Sequence, residues 1–204
     1  MFPGPLKIPL VNADCTLDTH YLPTTKADQL LTQLLDQTQW TRPTLRLFDK
    51  QVLSPRLAAW YGDIEAIYTY SGLTNTPIPW TPTLARIRKK IERDSGSKFN
   101  SVLLNLYRDG NDAMGWHADD EAELGNCPVI ASLSLGACRR FLLRPKKSQA
   151  AEKRHSVPLD LSHGSLLLMQ GETQKYWQHS VGRTRKTVGP RVNLTFRNIR
   201  HSLC

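Results

Sequence analysis

Apolar residues follow two rhythms along the chain. In "TKADQLLTQLLDQTQW", Leu30, Leu31, Leu34 and Leu35 recur at three- and four-residue spacing, which places them on one side of a helix. Thr25 and Asp28 stand at capping-box spacing at its start. A second helix is predicted in "WTPTLARIRKKIERDSG", with Thr81 as cap, Pro82 at the first helical position, Gly96 as the stop, and Leu84, Ile87 and Ile91 as the apolar stripe. Its other face carries Arg86, Arg88, Lys89, Lys90 and Arg93 and reads as a solvated surface.

From Phe99 the rhythm changes to short β-rich runs separated by Gly, Pro and Asn/Asp: "FNSVLLNLY", "VIASLSLGA", "RRFLLRP", "SVPLDL", "GSLLLMQ", "YWQHSV" and "RVNLTFRNI". Many short strands at close spacing predict a sandwich or jelly roll rather than a parallel sheet. The fold class is therefore α+β, with helices toward the amino terminus flanking a β core. The stretch "RPKKSQAAEKRHS" reads as a long basic loop between two strands.

Composition changes this picture little. A chain of 204 residues, 40% hydrophobic and 22% charged, suits one globular domain and excludes a disordered or fibrous protein. Charge adds more: 27 Lys+Arg against 18 Asp+Glu gives a net +9, which attracts polyanions and makes nucleic acid the first candidate partner. Cys15, Cys127, Cys138 and Cys204 form no C-x-x-C pair and read as free thiols of a reducing compartment. The opening "MFPGPLKIPLVNADC" lacks the apolar run of a signal peptide, and no later run reaches transmembrane length, so a soluble intracellular protein is expected.

The candidate chemistry begins in "GWHADDEAELG". In an extended segment residues two apart share a face, so His117 and Asp119 present an imidazole and a carboxylate side by side. Such a pair alone says little, but "YWQHSV" supplies His179 on another strand-like run. Two imidazoles and a carboxylate with open positions are the facial triad of non-haem Fe(II) oxygenases, and the same set can hold catalytic zinc. An oxygenase of this kind also needs a dicarboxylate site. "RVNLTFR" puts Arg191 and Arg197 on one face of a strand, where two buried guanidinium groups call for an anion. Asn105 and Tyr107 in "NLY" share a face and add donors suited to an acid.

The segments "NLYRDGNDAMGWHADDEAELG", "IASLSLGACRRF", "HGSLLLMQGETQKYWQHSV" and "GPRVNLTFR" closely resemble the AlkB family of Fe(II)/2-oxoglutarate-dependent nucleic-acid dealkylation dioxygenases, in the DNA-repair branch that contains the second and third human AlkB homologues. The resemblance runs from about Leu45 to Ile199. It implies a single domain over residues 1–204, with a double-stranded β-helix (jelly-roll) core at about 99–199 and a nucleotide-recognition lid at about 45–75. It implies Fe(II) held by His117, Asp119 and His179; 2-oxoglutarate held by Arg191 with Asn105 and Tyr107; Arg197 steadying the metal end; and O2 as oxidant. The reaction it implies is oxidative demethylation of 1-methyladenine and 3-methylcytosine in DNA, with RNA as a second substrate, releasing formaldehyde, succinate and CO2.

Substrate contacts follow from the same resemblance. "SPRLAAWYGDIEAIYTYSG" is similar to the family's lid and implies that Arg56, Tyr68, Tyr70 and Ser71 surround the damaged base, while Trp60 packs. Phe48 in "RLFDK" stands where a relative carries an apolar finger that fills the gap left by a flipped base, although Asp49 replaces that finger's glycine. Asp120 and Glu121 stand beside the metal set as acceptors for an exocyclic amino group, or as members of an acidic turn. Lys146, Lys147, Lys153 and Arg154, with Arg183, Arg185 and Lys186, supply cations for a phosphate backbone. The partner implied is alkylated DNA, single- or double-stranded, bound by a monomer that is cytoplasmic in a bacterium and nuclear in a eukaryote. A hydroxylase or demethylase of RNA or protein, a zinc hydrolase and a non-catalytic nucleic-acid-binding module are the other readings of the same residues.

Overall fold

The computed structural model describes residues 4–47, 50–66, 68–70, 73–146 and 155–200. Strands β1 (Leu6–Ile8) and β2 (Asp14–Asp18) precede helix α1 (Thr24–Gln37). Then come β3 (Thr44–Leu47), β4 (Lys50–Leu53), β5 (Leu57–Gly62), β6 (Tyr68–Tyr70), β7 (Leu73–Asn75), β8 (Ile78–Pro79) and α2 (Pro82–Ser95). The second half adds β9 (Ser101–Tyr107), β10 (Met114–His117), β11 (Ile130–Gly136), β12 (Arg139–Pro145), β13 (Val157–Leu161), β14 (Leu166–Gln170), the one-turn helix α3 (Thr173–Tyr176), β15 (Trp177–Val181) and β16 (Arg191–Arg197).

A major sheet runs in the order β1-β2-β14-β11-β16-β9-β5-β8 and faces a minor sheet ordered β10-β15-β12-β13. Nearly every pairing is antiparallel, and neighbours are seldom consecutive in sequence, as a jelly roll requires. The pairs β3-β4 and β6-β7 form separate two-stranded ribbons.

The period-two alternation of strands decides what lies on each side of the major sheet. Val102, Leu104 and Leu106 of β9, Leu133 and Leu135 of β11, and Val192, Leu194 and Phe196 of β16 join Leu30 and Leu34 of α1 and Leu84 and Ile91 of α2 in one buried cluster. The other residues of these strands face the minor sheet. There Tyr107 joins Phe141, Leu143, Leu161, Leu167 and Val181 in a second buried cluster, and Asn105, Ser132, Arg191, Asn193, Thr195 and Arg197 line a cavity with His117 and His179. All seven residues of β16 are buried, and its whole face toward the minor sheet (Arg191, Asn193, Thr195 and Arg197) is polar. Polar groups in such a place are tolerated only when hydrogen-bonded or bound to something.

The second helix starts and stops as its sequence predicts. Leu84 N–H donates to Thr81 Oγ1 at 3.2 Å, Pro82 occupies the first turn, and Gly96 ends the helix at φ 68°. Its basic face is largely engaged within the chain: Arg88 pairs with Asp63 and covers Trp80, while Lys90 and Arg93 pair with Asp94. The first helix departs from its prediction. It begins at Thr24 after Pro23, no side chain caps it, and Asp28 instead meets His163 Nε2 at 3.2 Å. Pro23 occupies the N-cap, so Thr25 already lies inside the first turn. Within 45–75, where the lid is expected, β5 is an integral strand of the major sheet, paired with β9. Among the described residues no helix is long and apolar enough to cross a membrane.

Candidate active site

Three elements converge on one point of the cavity. His117 ends β10, and its neighbour across the ladder is His179 of β15, after a register shift between Met114 and His117. Their imidazoles meet edge to face, with centroids 4.2 Å apart and planes at 64°. Asp119 lies just beyond the end of β10, so its carboxylate arrives from the following loop and not, as the two-residue spacing predicts, from the same face of a strand. His179 Nε2 stands 3.7 Å from Asp119 Oδ2. His117, Asp119 and His179 offer ligand atoms that all lie within 4.8 Å of one another, a set that can hold a metal ion.

Neighbours fix each member. Gly115 O accepts from His117 Nδ1 at 2.9 Å, leaving Nε2 with its lone pair. The His179 ring is stacked on Phe141 at 5.1 Å and 22°. Arg197 Nη2 donates to Asp119 Oδ1 at 2.5 Å, and the Asp119 N–H donates to Gln174 Oε1 at 2.9 Å. Burial pushes the Asp119 carboxyl up, but Arg197 and the two imidazoles overcome it and hold the group well below the usual carboxylate range. Burial lowers both imidazoles, His117 with Asp119 opposing and His179 down to about 3 with His117 adding to the effect. At neutral pH the site therefore presents a carboxylate and two neutral imidazoles, the protonation states that metal ligation needs.

The other end of the cavity is cationic. Arg191 opens β16 opposite Tyr107, is 1% exposed, and lies with its guanidinium 5.1 Å from the Tyr107 ring centroid. Its Nη2 donates to Ser134 Oγ at 2.9 Å, while Nε and Nη1 are buried without a hydrogen-bond partner among the described residues. Burial depresses its pKa, with Tyr107 opposing and Arg139 reinforcing the shift. Each unsatisfied buried donor costs about 1–3 kcal/mol. Carboxylate oxygens accepting at these donors would remove that cost through charge-assisted hydrogen bonds. Asn105 Oδ1 accepts from Arg56 Nε at 2.7 Å, so its amide nitrogen is the end left for an anion. The residues present thus fit both a metal and a dicarboxylate.

The chain belongs to the 2OG-Fe(II) oxygenase superfamily. The family model matches residues 14–197, from β2, which pairs with β14 in the major sheet, to the end of β16, and so begins upstream of the Leu45 at which the motif resemblance starts. Fe(II), 2-oxoglutarate and O2 are the cofactor and co-substrates of such an oxygenase. The chain is 45% identical over 181 residues to human "Alpha-ketoglutarate-dependent dioxygenase alkB homolog 3", covering 85% of this chain and 62% of that protein. It is 43% identical over 180 residues to mouse "DNA oxidative demethylase ALKBH2", covering 85% of this chain and 75% of that one. It thus spans less than two thirds of the length of alkB homolog 3. A solved structure described as "The structure of OsALKBH1" shares the fold, with a TM-score of 0.63 over 90% of this chain and 97% of that one at 19% identity.

Eight of the residues singled out in the sequence line this cavity, among them Asn105, Tyr107, His117, Asp119, His179, Arg191 and Arg197. Arg56 joins them, buried against Asn105. Asp120 is exposed and pairs with Lys146 at 2.5 Å, whereas Glu121 keeps one buried oxygen, Oε2, without a hydrogen-bond partner among the described residues. Tyr68 and Tyr70 fall on β6, and Trp60 is partly buried against the second cluster. Arg183, Arg185 and Lys186 are exposed between β15 and β16. Phe48, Ser71, Lys147, Lys153 and Arg154 lie outside the described residues. Ser134, Phe141 and Gln174 were missed. The alternation in "IASLSLG" was the available signal for Ser134; Phe141 looks like ordinary core, and Gln174 sits in a turn with no periodicity.

Proposed function

We propose that this oxygenase removes N-linked methyl groups from alkylated bases in DNA, with 1-methyladenine and 3-methylcytosine as substrates and RNA as a second one. The observation that carries the reading is a single cavity in which the His117–Asp119–His179 set faces the unsatisfied buried donors of Arg191. The names of its relatives, a DNA oxidative demethylase and an α-ketoglutarate-dependent dioxygenase, support it.

When bound, Fe(II) with O2 and 2-oxoglutarate supplies the oxidation that an inert methyl C–H bond demands, yielding succinate, CO2 and formaldehyde. The protein's part is placement. His117, Asp119 and His179 hold the metal from one side, and Arg197 keeps the Asp119 carboxylate ionised and oriented. Arg191 and Tyr107 take the distal carboxylate, with the Asn105 amide beside them. Glu121 supplies its buried oxygen to the exocyclic amino group of the target base. Arg56, Tyr68, Tyr70 and Ser71 surround that base, Phe48 serves as the wedge, and Asp120, tied to Lys146, lies at the rim. Lys146, Lys147, Lys153, Arg154, Arg183, Arg185 and Lys186 follow the backbone. Residues 1–204 act as one domain and as a monomer inside the cell.

The test is mass spectrometry of oligonucleotides carrying 1-methyladenine or 3-methylcytosine, as single strands, duplexes and RNA, after incubation with the protein and its co-substrates. Loss of the methyl group from DNA supports the proposal, and the rate ratio between forms gives strand preference. Methyl groups retained on every DNA strand while 2-oxoglutarate is turned over on RNA or protein would overturn it.

A further inference from the structure

Gln174 is 1% exposed and belongs to α3, a single helical turn between β14 and β15. Its Oε1 accepts from the backbone N–H of Asp119 at 2.9 Å, a contact between residues 55 apart in sequence. Its Nε2 meets Met169 Sδ at 3.5 Å, a weak acceptor, so the amide has one strong use and it is spent on Asp119. The turn is held in turn from behind. Thr173 Oγ1 accepts from Asp14 N–H at 2.9 Å and donates to Gln170 O at 2.5 Å. Trp177, which opens the strand carrying His179, donates from Nε1 to Val11 O at 2.8 Å.

Asp119 has left the strand by the time its carboxylate reaches the cavity, so no ladder hydrogen bond fixes its backbone. Arg197 neutralises the carboxylate, but an ion pair to one oxygen does not set the direction from which the side chain arrives. The Gln174 bond does. It fastens the backbone of one member of the triad to the turn that leads directly into the strand bearing another. We infer that Gln174 is a positioning residue for the metal site: it holds the Asp119 backbone in register with His179, and divalent-metal affinity depends on its oxygen. This inference rests on reading His117, Asp119 and His179 as the metal ligands.

The test is titration of the metal-free full chain with Mn(II) or Co(II) under anaerobic conditions, without substrate. Gln174→Met keeps the shape and removes the acceptor; Gln174→Glu keeps an oxygen at the same reach. Loss of a group that orients a ligand lowers metal affinity by about 10–100-fold. That loss is expected for Gln174→Met, together with altered Co(II) absorption bands, and near-normal affinity is expected for Gln174→Glu. Thr173→Val loosens the same turn without touching Asp119 and is expected to bind metal normally at a temperature well below its unfolding midpoint. Wild-type affinity in Gln174→Met, or an equal loss in Thr173→Val, overturns the inference. His179→Ala in the same titration separates the two readings: if it binds metal like wild type, the metal site itself has been misassigned, and if it fails while Gln174→Met binds normally, only the role of Gln174 falls.

Discussion

Arg197 Nη2 lies 2.5 Å from Asp119 Oδ1, and both side chains are almost completely buried. A buried pair of this kind is expensive to break from one side, because the remaining charge is left without a counterion; the cost is about 3–5 kcal/mol. Arg197→Met is therefore expected to destabilise the metal-free protein by that order. Asp119→Asn in the same background should recover a large part of the loss. Denaturant unfolding of the two single variants and the double variant checks this, and strictly additive losses would contradict the coupling.

Arg191 predicts a different phenotype. It binds Ser134 with one nitrogen and has two buried donors left over, so its removal takes a carboxylate partner away and leaves the metal end untouched. Truncating one side of a buried charge pair costs about 2–5 kcal/mol, a rise of at least about 30-fold in the 2-oxoglutarate KM for Arg191→Met. Metal affinity measured without 2-oxoglutarate should stay unchanged. Steady-state kinetics with 2-oxoglutarate varied gives the answer; an unaltered KM would remove Arg191 from the dicarboxylate site.

The histidines give the metal-free protein a pH signature. Burial holds His179 down to about 3, against an ordinary value of 6.5, and lowers His117 as well. The unfolded chain takes up these protons near pH 6.5 while the fold refuses them, so stability is complete above about pH 6.5 and declines as the pH falls toward the folded-state value. His179→Asn should flatten that decline between pH 6.5 and 4 by up to one proton, about 1.4 kcal/mol per pH unit. Urea unfolding at several pH values measures it, and parallel slopes for wild type and variant would contradict the assignment.

How much of this was legible in the sequence differed from element to element. In β16 the period of two is unbroken, so "RVNLTFR" announces by parity that Arg191 and Arg197 share a face, and the fold supplies what that face meets. Thr81, Pro82 and Gly96 act through local backbone chemistry, and they bound α2 as read. The capping box at Thr25 and Asp28 failed because Pro23 is the N-cap, which starts the helix two residues earlier than the motif assumes. Asp119 does join His117 and His179 in one cluster, but from a loop and not from a strand face, since a strand's end cannot be read from two residues. Gln174 was invisible: its meaning lies in a contact with a backbone N–H far along the chain, and a four-residue turn carries no periodic signal.

Gly136 ties the fold to the site through backbone alone. It has φ +88°, stands opposite Arg191 in the ladder, and a Cβ there would lie 2.3 Å from Pro190 O. The carbonyl it would strike also accepts from Ala137 N–H at 3.0 Å, so it cannot retreat freely. Gly136→Ala is expected to cost about 1–3 kcal/mol of stability through the strained conformation. Because the displaced backbone leads into Arg191, the 2-oxoglutarate KM should rise too. Thermal unfolding and kinetics together check it, and an unchanged KM would show that Arg191 is positioned independently of this contact.

The proposed function requires one cavity to couple consumption of 2-oxoglutarate to removal of a methyl group from a nucleic-acid base. The most direct measurement counts succinate, formaldehyde and restored base in the same reaction, using a 3-methylcytosine oligonucleotide with Fe(II), 2-oxoglutarate and O2. Equal amounts of all three are expected, none of them without O2 and none from His179→Ala. Succinate formed with no restored base, or base restored without 2-oxoglutarate, would contradict it.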